Sequence, residues 1–327
     1  MMRRLWTTRS AARAAIVIAV LGLLAGMWDG QPAAQAAGPL TELRVGNLPI
    51  ADAGSLFVAD AGGYAEKHGL RLKIVFMAGG ATIAPAVESG SLELGMSNVV
   101  SILQAREHGF NFKCIAGALR KSASGKPELA LLASPKGHII NAASLQGRQV
   151  AVNTLGNINQ LIAEAYLSRN GVAPGSVRYV AIDFPEMPEA LATGRVAAAI
   201  VDEPFVTLSL RNGASILEPR PYKVIAPGPL FSCYFGSARW IRTHRKEARA
   251  FVDALNNANK RIAADPGYLT SVLPKYTKIP QSMAGQIALP EFTTDITPAD
   301  LKVWLDAAVR LKMIKTSFNI NEVIEQP

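Results

Sequence analysis

The residues best placed to do chemistry are two adjacent carboxylates, Asp202 and Glu203, followed by Pro204. They end a run of small and branched apolar residues, 196–201, that reads as a parallel strand buried on both faces. Two acids at a strand end can exchange protons with a substrate or accept hydrogen bonds from a ligand. Proton exchange needs partners, and the chain offers few. It holds no GxSxG, no HExxH and no complete GxxxxGK[ST], because Gly125-Lys126 is followed by Pro127. His68, His108, His138 and His244 are scattered without metal-ligand spacing. Cys114 and Cys233 are the two cysteines; they either form one disulfide in an oxidising compartment or remain as two buried thiols. The acids therefore read as part of a binding wall, with no catalytic residue, metal or cofactor expected. Glu203 is the acceptor for an amine or ring N–H of a ligand, and Asp202 stabilises the next helix start.

The elements that must position these acids follow a regular rhythm. Strands are expected at 42–48, 71–77, 92–96 and 112–118, with helices opening near Ser55 and covering 81–89 and 99–108. The polar run 119–127 reads as a passage between lobes, with Arg120 and Lys121 solvated or, as the alternative role, reaching an anion, so that the charge of a ligand stays open. The pattern then repeats. Strands are expected at 128–133, 148–153, 178–182, 196–201 and 214–217, with a helix at 158–169. A second helix is opened by Pro185 and Pro188 and ended by Gly194. The stretch 218–229 carries four prolines and forms a return passage to a strand at 231–237. One long helix from 238 to about 264 follows, then shorter helices around Tyr268 and Met283. Thr297 and Asp300 mark a capped helix start, and Leu301, Trp304, Leu305, Ala308 and Leu311 form its apolar stripe. Alternating strands and helices imply an α/β fold built on parallel sheets. Two passages imply two lobes, 38–124 with 225–327 and 125–224, joined by a hinge around a cleft at the carboxyl ends of both sheets.

Composition narrows the function class. The chain has 327 residues, 49% hydrophobic and 18% charged, which suits a folded protein of two ordinary domains. Residues 1–37 combine Arg3, Arg4, Arg9 and Arg13 with an apolar run at 14–27 and a small-residue stretch at 32–38. This reads as a secretory signal peptide cleaved after Ala36 or Ala37, hence a periplasmic location. Its removal takes away four arginines and Asp29, so the formal charge falls from +9 to +6. No long Lys/Arg run with interleaved aromatics appears, which argues against nucleic acid as a partner. The basic segment 239–249 reads as a solvated helix face.

The order of motifs resembles a known family. The stretches LRVGNLPIADAGSLFVADAGGYAEKHGL, ESGSLELGMSN, SLQGRQVAVNTLGN and MPEALATGRVAAAIVDEPF are similar to those of periplasmic solute-binding proteins of ABC importers, in the nitrate/sulfonate/taurine-type branch. The resemblance implies a two-lobed periplasmic-binding-protein fold of type II, acting as a monomer. It implies a protein that captures a small organic or oxyanionic solute and delivers it to a membrane permease with its ATPase. It also implies which positions line the cleft: Asn47, Pro49 and Asp52; Gly79, Gly80 and Thr82; Ser97 and Asn98; Thr154, Gly156 and Asn157; and Met187, Glu203, Phe205 and Tyr234. Most of these lie at expected strand-to-helix turns, where free backbone N–H groups attract polar oxygens. For the hydroxyls and amides an ordinary helix cap is the competing role, and for the aromatic residues core packing. Relatives of this fold also act as biosynthetic enzymes, so an enzyme is the alternative function, and a ligand sensor a further one.

Overall fold

A computed structural model describes residues 39–327. The expected signal segment at 1–37 lies outside the described residues. Among the described residues no helix is long and apolar enough to cross a membrane.

The first block runs β1 (Thr41–Asn47), α1 (Gly54–Ala61), α2 (Tyr64–Lys67), β2 (Leu70–Phe76), α3 (Gly80–Glu88), β3 (Leu94–Asn98), α4 (Val99–Glu107) and β4 (Phe112–Arg120). The chain then crosses to β5 (Leu129–Ala133), β6 (Gln149–Val152), α5 (Ile158–Arg169), β7 (Arg178–Ala181), α6 (Met187–Thr193), β8 (Ala198–Asp202), α7 (Phe205–Arg211) and β9 (Ser215–Glu218). It returns as β10 (Leu230–Ser237), α8 (Ala238–Thr243), α9 (Arg245–Ala264), α10 (Pro266–Thr277), α11 (Gln281–Ala284), β11 (Glu291–Phe292) and α12 (Pro298–Arg310). Two sheets result, in the orders β11-β4-β10-β3-β1-β2 and β7-β6-β8-β5-β9.

Composition decides which strands are central. Every residue of β5 (LALLA) and of β8 (AAIVD) is buried, while edge strand β2 alternates between buried and exposed along LRLKIVF. Each sheet has the expected parallel core, with antiparallel strands added to it. β1 pairs parallel with β2 and β3, but β10 lies antiparallel between β3 and β4. In the second sheet β6 pairs parallel with β7 and β8, whereas β5 runs antiparallel to β8 and β9. The reason is topological. Each passage leaves one sheet at its carboxyl edge and enters the other at the same facing edge, so the entering strand must run backwards.

Helices cover both sheets. Gly46 and Gly95 pair side by side in β1 and β3, and a Cβ on either would meet Ile83 Cγ2 of α3, at 3.0 and 2.4 Å. The absence of side chains there lets α3 lie low on the sheet, which brings its first residue, Gly80, to the carboxyl edge. The long helix expected from 238 is two helices, because His244 breaks it with a non-helical backbone (φ −128°, ψ 41°). α9 then buries Ala248, Phe251, Ala254, Leu255, Ala258 and Ile262 along one stripe and leaves its charges outside. At α12 the Thr297 side chain takes the Asp300 N–H while the Asp300 carboxylate takes the Thr297 N–H, a complete capping box. Its stripe reaches the first block, where Trp304 Nε1 donates to the Leu230 carbonyl at 2.7 Å. Cys114 and Cys233, on neighbouring strands β4 and β10, form a disulfide.

Candidate functional site

Strand ends from both sheets converge on a buried lysine. β1 ends at Asn47, and a short turn places Asp52 in a 3-10 helix before α1. β8 ends at Asp202, and β4 is followed immediately by Lys121. Lys121 Nζ donates to Asp52 Oδ1 at 3.0 Å and Oδ2 at 2.9 Å, and to Asp202 Oδ1 at 2.7 Å. It also lies 4.6 Å from the centroid of the Phe231 ring. All three charged side chains are at most 2% exposed. This corrects the sequence reading of Lys121 as solvated. Arg120, beside it, bonds Asp300 at 2.7 Å instead of facing water alone.

One ammonium serves more than one acid. Glu128 is buried close by, with its Oε1 accepting from the Ser122 N–H and its Oε2 without a partner. Burial, together with the charges of Asp202 and Glu128, outweighs the lysine at Asp52 and pushes its carboxyl up to about 7. Asp202 is likewise raised, chiefly by burial. Lys121 loses to burial but gains more from the carboxylates, so it is held firmly in its charged form.

Beside this cluster lies a nest of amides. Asn153, just after β6, accepts at Oδ1 from Asn157 Nδ2 (2.6 Å) and Asn159 Nδ2 (3.0 Å). Its own Nδ2 donates at 3.1 Å to the Ala78 carbonyl in the opposite half. Asn157 Oδ1 caps α5 by accepting from the N–H groups of Asn159 and Gln160. Asn159 Oδ1 is buried and has no partner. From the other side Asn98 caps α4, with Oδ1 accepting from Ser101 N at 2.9 Å. Gln104 of α4 donates to the Gly156 carbonyl at 2.7 Å, and Gly156 holds φ +73°, a conformation that glycine adopts freely.

These groups surround a small cavity of about 20 Å³, room for a single water-sized group, lined by Leu48, Ile50, Asp52, Gly80, Met96, Asn98, Asn153, Asn157, Ile158, Asn159, Phe184, Asp202, Phe231 and Ser232. A second, wider cavity of about 220 Å³ shares Leu48 and Phe184 with the first and adds Pro49, Phe76, Met77, Ala78, Asp183 and Pro185. The inner space is polar and acidic. The outer one is largely apolar.

Of the residues expected to line a cleft, Asp52, Gly80, Asn98 and Asn157 border the inner cavity and Pro49 the outer. Thr82 turns back on its own helix and donates to the Gly79 carbonyl at 2.9 Å. Gly79 packs against the opposite half, since a Cβ there would lie 3.0 Å from Asn153 Nδ2. Asn47, Ser97, Thr154 and Tyr234 line neither cavity and carry buried polar atoms that have no partner. Met187 and Phe205 belong to the core. Glu203 is a correction. It borders neither cavity; it accepts from Thr207 N (3.0 Å), Thr207 Oγ1 (2.7 Å) and Ala288 N (3.2 Å), fastening the first turn of α7 to the other half. Asp202 takes the place at the cavity that was expected of Glu203. Sequence reasoning also missed Lys121, Asn153, Asn159 and Phe184. The position of Asn153 directly after a buried strand was the available signal; nothing local marked Lys121.

Comparison with known proteins agrees with this architecture. The family model described as NMT1/THI5 like matches residues 51–268. A Brachyspira hyodysenteriae protein that carries the provisional name ABC transporter periplasmic binding protein is 22% identical over 278 residues, 80% of this chain and 77% of that protein. The alkanesulfonate-binding protein SsuA of Xanthomonas axonopodis pv. citri, solved with MOPS, superposes with a TM-score of 0.75 at 16% identity, covering 89% of this chain and 100% of that one. The periplasmic nitrate-binding protein NrtA of Synechocystis PCC 6803 gives 0.76 at 14% identity, covering 88% and 86%. The desulfurization enzyme DSZB shares the fold at 0.61 and 13% identity, covering 88% and 96%.

Proposed function

The chain belongs to the NMT1/THI5-like family, and from that premise we propose that it is the extracytoplasmic solute-binding component of an ABC importer. It captures a small solute between its two halves and presents the closed form to a membrane permease driven by an ATPase. The observation that carries the reading is the buried Asp52–Lys121–Asp202 cluster beside an inner cavity, with Asp52 and Asp202 supplied by different sheets. A solute seated there touches both halves at once, so its binding energy favours the closed over the open arrangement. We take 38–124 with 225–327 as one rigid lobe and 125–224 as the other, turning about the two passages. The location follows from the same reading: a periplasmic protein exported by the N-terminal segment.

The cargo is a small organic or oxyanionic solute. The structural neighbours named for alkanesulfonate and nitrate set the starting classes for a screen, and taurine-like amino-sulfonates extend it. The test is small-angle scattering of the chain with and without a solute that stabilises it, followed by solute uptake in vesicles holding the permease. A fall in radius of gyration and uptake dependent on this chain are expected. Conversion of the solute into a product by the isolated chain would overturn the reading in favour of an enzyme, the alternative that the desulfurization enzyme's shared fold keeps open.

A further inference from the structure

We propose that the cleft selects a small organic cation, an ammonium or amidinium group on an apolar body, and rejects free oxyanions. The inference rests on the reading above that the cleft is a solute site. It goes beyond it by assigning the charge of the solute from the groups that line the space.

The two cavities are bordered by three carboxylates, Asp52 and Asp202 inside and Asp183 at the mouth, and by no arginine or lysine. The one buried ammonium in reach is already occupied, since Lys121 Nζ bonds Asp52 twice and Asp202 once. With Glu128 buried behind them, the buried acids outnumber the buried bases. An anion entering this space would meet carboxyl oxygens, whereas a cation would favour their ionised forms and stand beside Lys121 as a second positive partner for acids that burial otherwise pushes toward the neutral form.

Helix starts point the other way in principle, because their N–H groups draw anions. Here the two starts nearest the amide nest are capped by side chains. Asn98 Oδ1 takes the Ser101 N–H at the start of α4, and Asn157 Oδ1 takes the Asn159 and Gln160 N–H groups at the start of α5. The start of α3 at Gly80 has no side-chain cap, nor have the short 3-10 turns at Ala51–Ala53 and Phe184–Glu186, and these can receive neutral oxygens of a solute. The unpartnered Asn159 Oδ1, a buried acceptor on a residue that borders the inner cavity, adds one more demand for an N–H donor. At the mouth Leu48, Pro49, Phe76, Met77, Phe184 and Pro185 form apolar walls, and Phe76 is 44% exposed. The body of the solute lies there, with its charged nitrogen directed inward to Asp52 and Asp202.

Two measurements on the full chain test this. In the first, a metabolite extract is split by ion exchange into cationic, neutral and anionic pools, and each pool is assayed for thermal stabilisation of the protein. Stabilisation confined to the cationic pool is expected. Stabilisation by the anionic or neutral pool overturns the charge assignment while leaving solute binding in place. Stabilisation by no pool overturns the solute-binding reading itself. In the second, calorimetric titrations compare benzamidine with benzamide and benzenesulfonate. Benzamidine should bind at least tenfold more tightly than either, and Asp202→Asn should remove that preference. Should that variant fail to fold, Asp183→Asn, at an exposed position, should weaken benzamidine two- to threefold with a smaller dependence on salt. Benzenesulfonate binding as tightly as benzamidine, or a preference unmoved by both variants, would refute the proposal.

Discussion

Replacing Lys121 with methionine keeps an unbranched stem, one atom shorter, and removes its charge. The ammonium it deletes stands 2.9 Å from Asp52 and 2.7 Å from Asp202, with all three side chains essentially out of water. Breaking a buried ion pair by removing one partner costs about 3–5 kcal/mol, and two carboxylates share this partner, so about 5 kcal/mol is expected at pH 8. The loss must depend on pH. The Asp52 carboxyl is already raised to about 7 from an ordinary 3.8, so the native state holds a proton that the unfolded state releases between those values. That contribution to stability is full below pH 4 and is lost as pH rises through about 7. Without Lys121 both aspartates titrate higher still, so the variant carries more of their neutral forms at pH 5 than at pH 8. The loss then shrinks to that of hydrogen bonds to a charged donor, about 1–3 kcal/mol. The other groups that act on the lysine are Glu128 and Tyr222, and burial holds the phenol neutral throughout this range. Urea unfolding followed by tryptophan fluorescence at pH 5 and pH 8 measures both numbers. A loss below about 1 kcal/mol at pH 8, or equal losses at the two pH values, would refute this account of the cluster.

Three further outcomes follow from the geometry. Glu203→Ala strands the Thr207 and Ala288 N–H groups and should cost about 1–3 kcal/mol in urea unfolding, with solute affinity changed less than twofold because Glu203 borders neither cavity. Gly80→Ala should lower both the melting temperature and solute affinity, since the new Cβ would fall 2.1 Å from Ser97 Oγ and 2.8 Å from Ser101 Cβ and must push α3 away from the cavity; titration calorimetry reads the second effect. Reducing the Cys114–Cys233 bond, which spans 119 positions, should lower unfolding free energy by about 4 kcal/mol, measured by urea melts with and without reductant.

The parts of this molecule that could be read from sequence are those whose physics is local. The runs in β5 and β8 are apolar along their whole length, which announces a central strand, and the helix expected at 158–169 forms over those residues, from Ile158 to Arg169. Strand direction is not local: β5 and β10 look like their neighbours in composition, and only the geometry of crossing between sheets turns them round. The same distinction governs the site. Asn98 and Asn157 were weighed as caps or as cleft residues, and each caps a helix while bordering the cavity, because a helix start at a strand end offers both tasks to one side chain. Asp202 and Glu203 are adjacent, and adjacent residues at a strand end face opposite ways. Which of them faces the cavity depends on the register of β8, and the apolar run before them continues unbroken on both faces, so it carries no mark of that register. Lys121 is the extreme case. Its flanks are polar and read as a solvated passage, while its partners lie 69 and 81 positions away at the ends of two other strands. A lysine in a polar run becomes a fully enclosed charge only after both sheets have brought their carboxyl edges together, and the acids that enclose it then fix the charge of whatever the cleft admits.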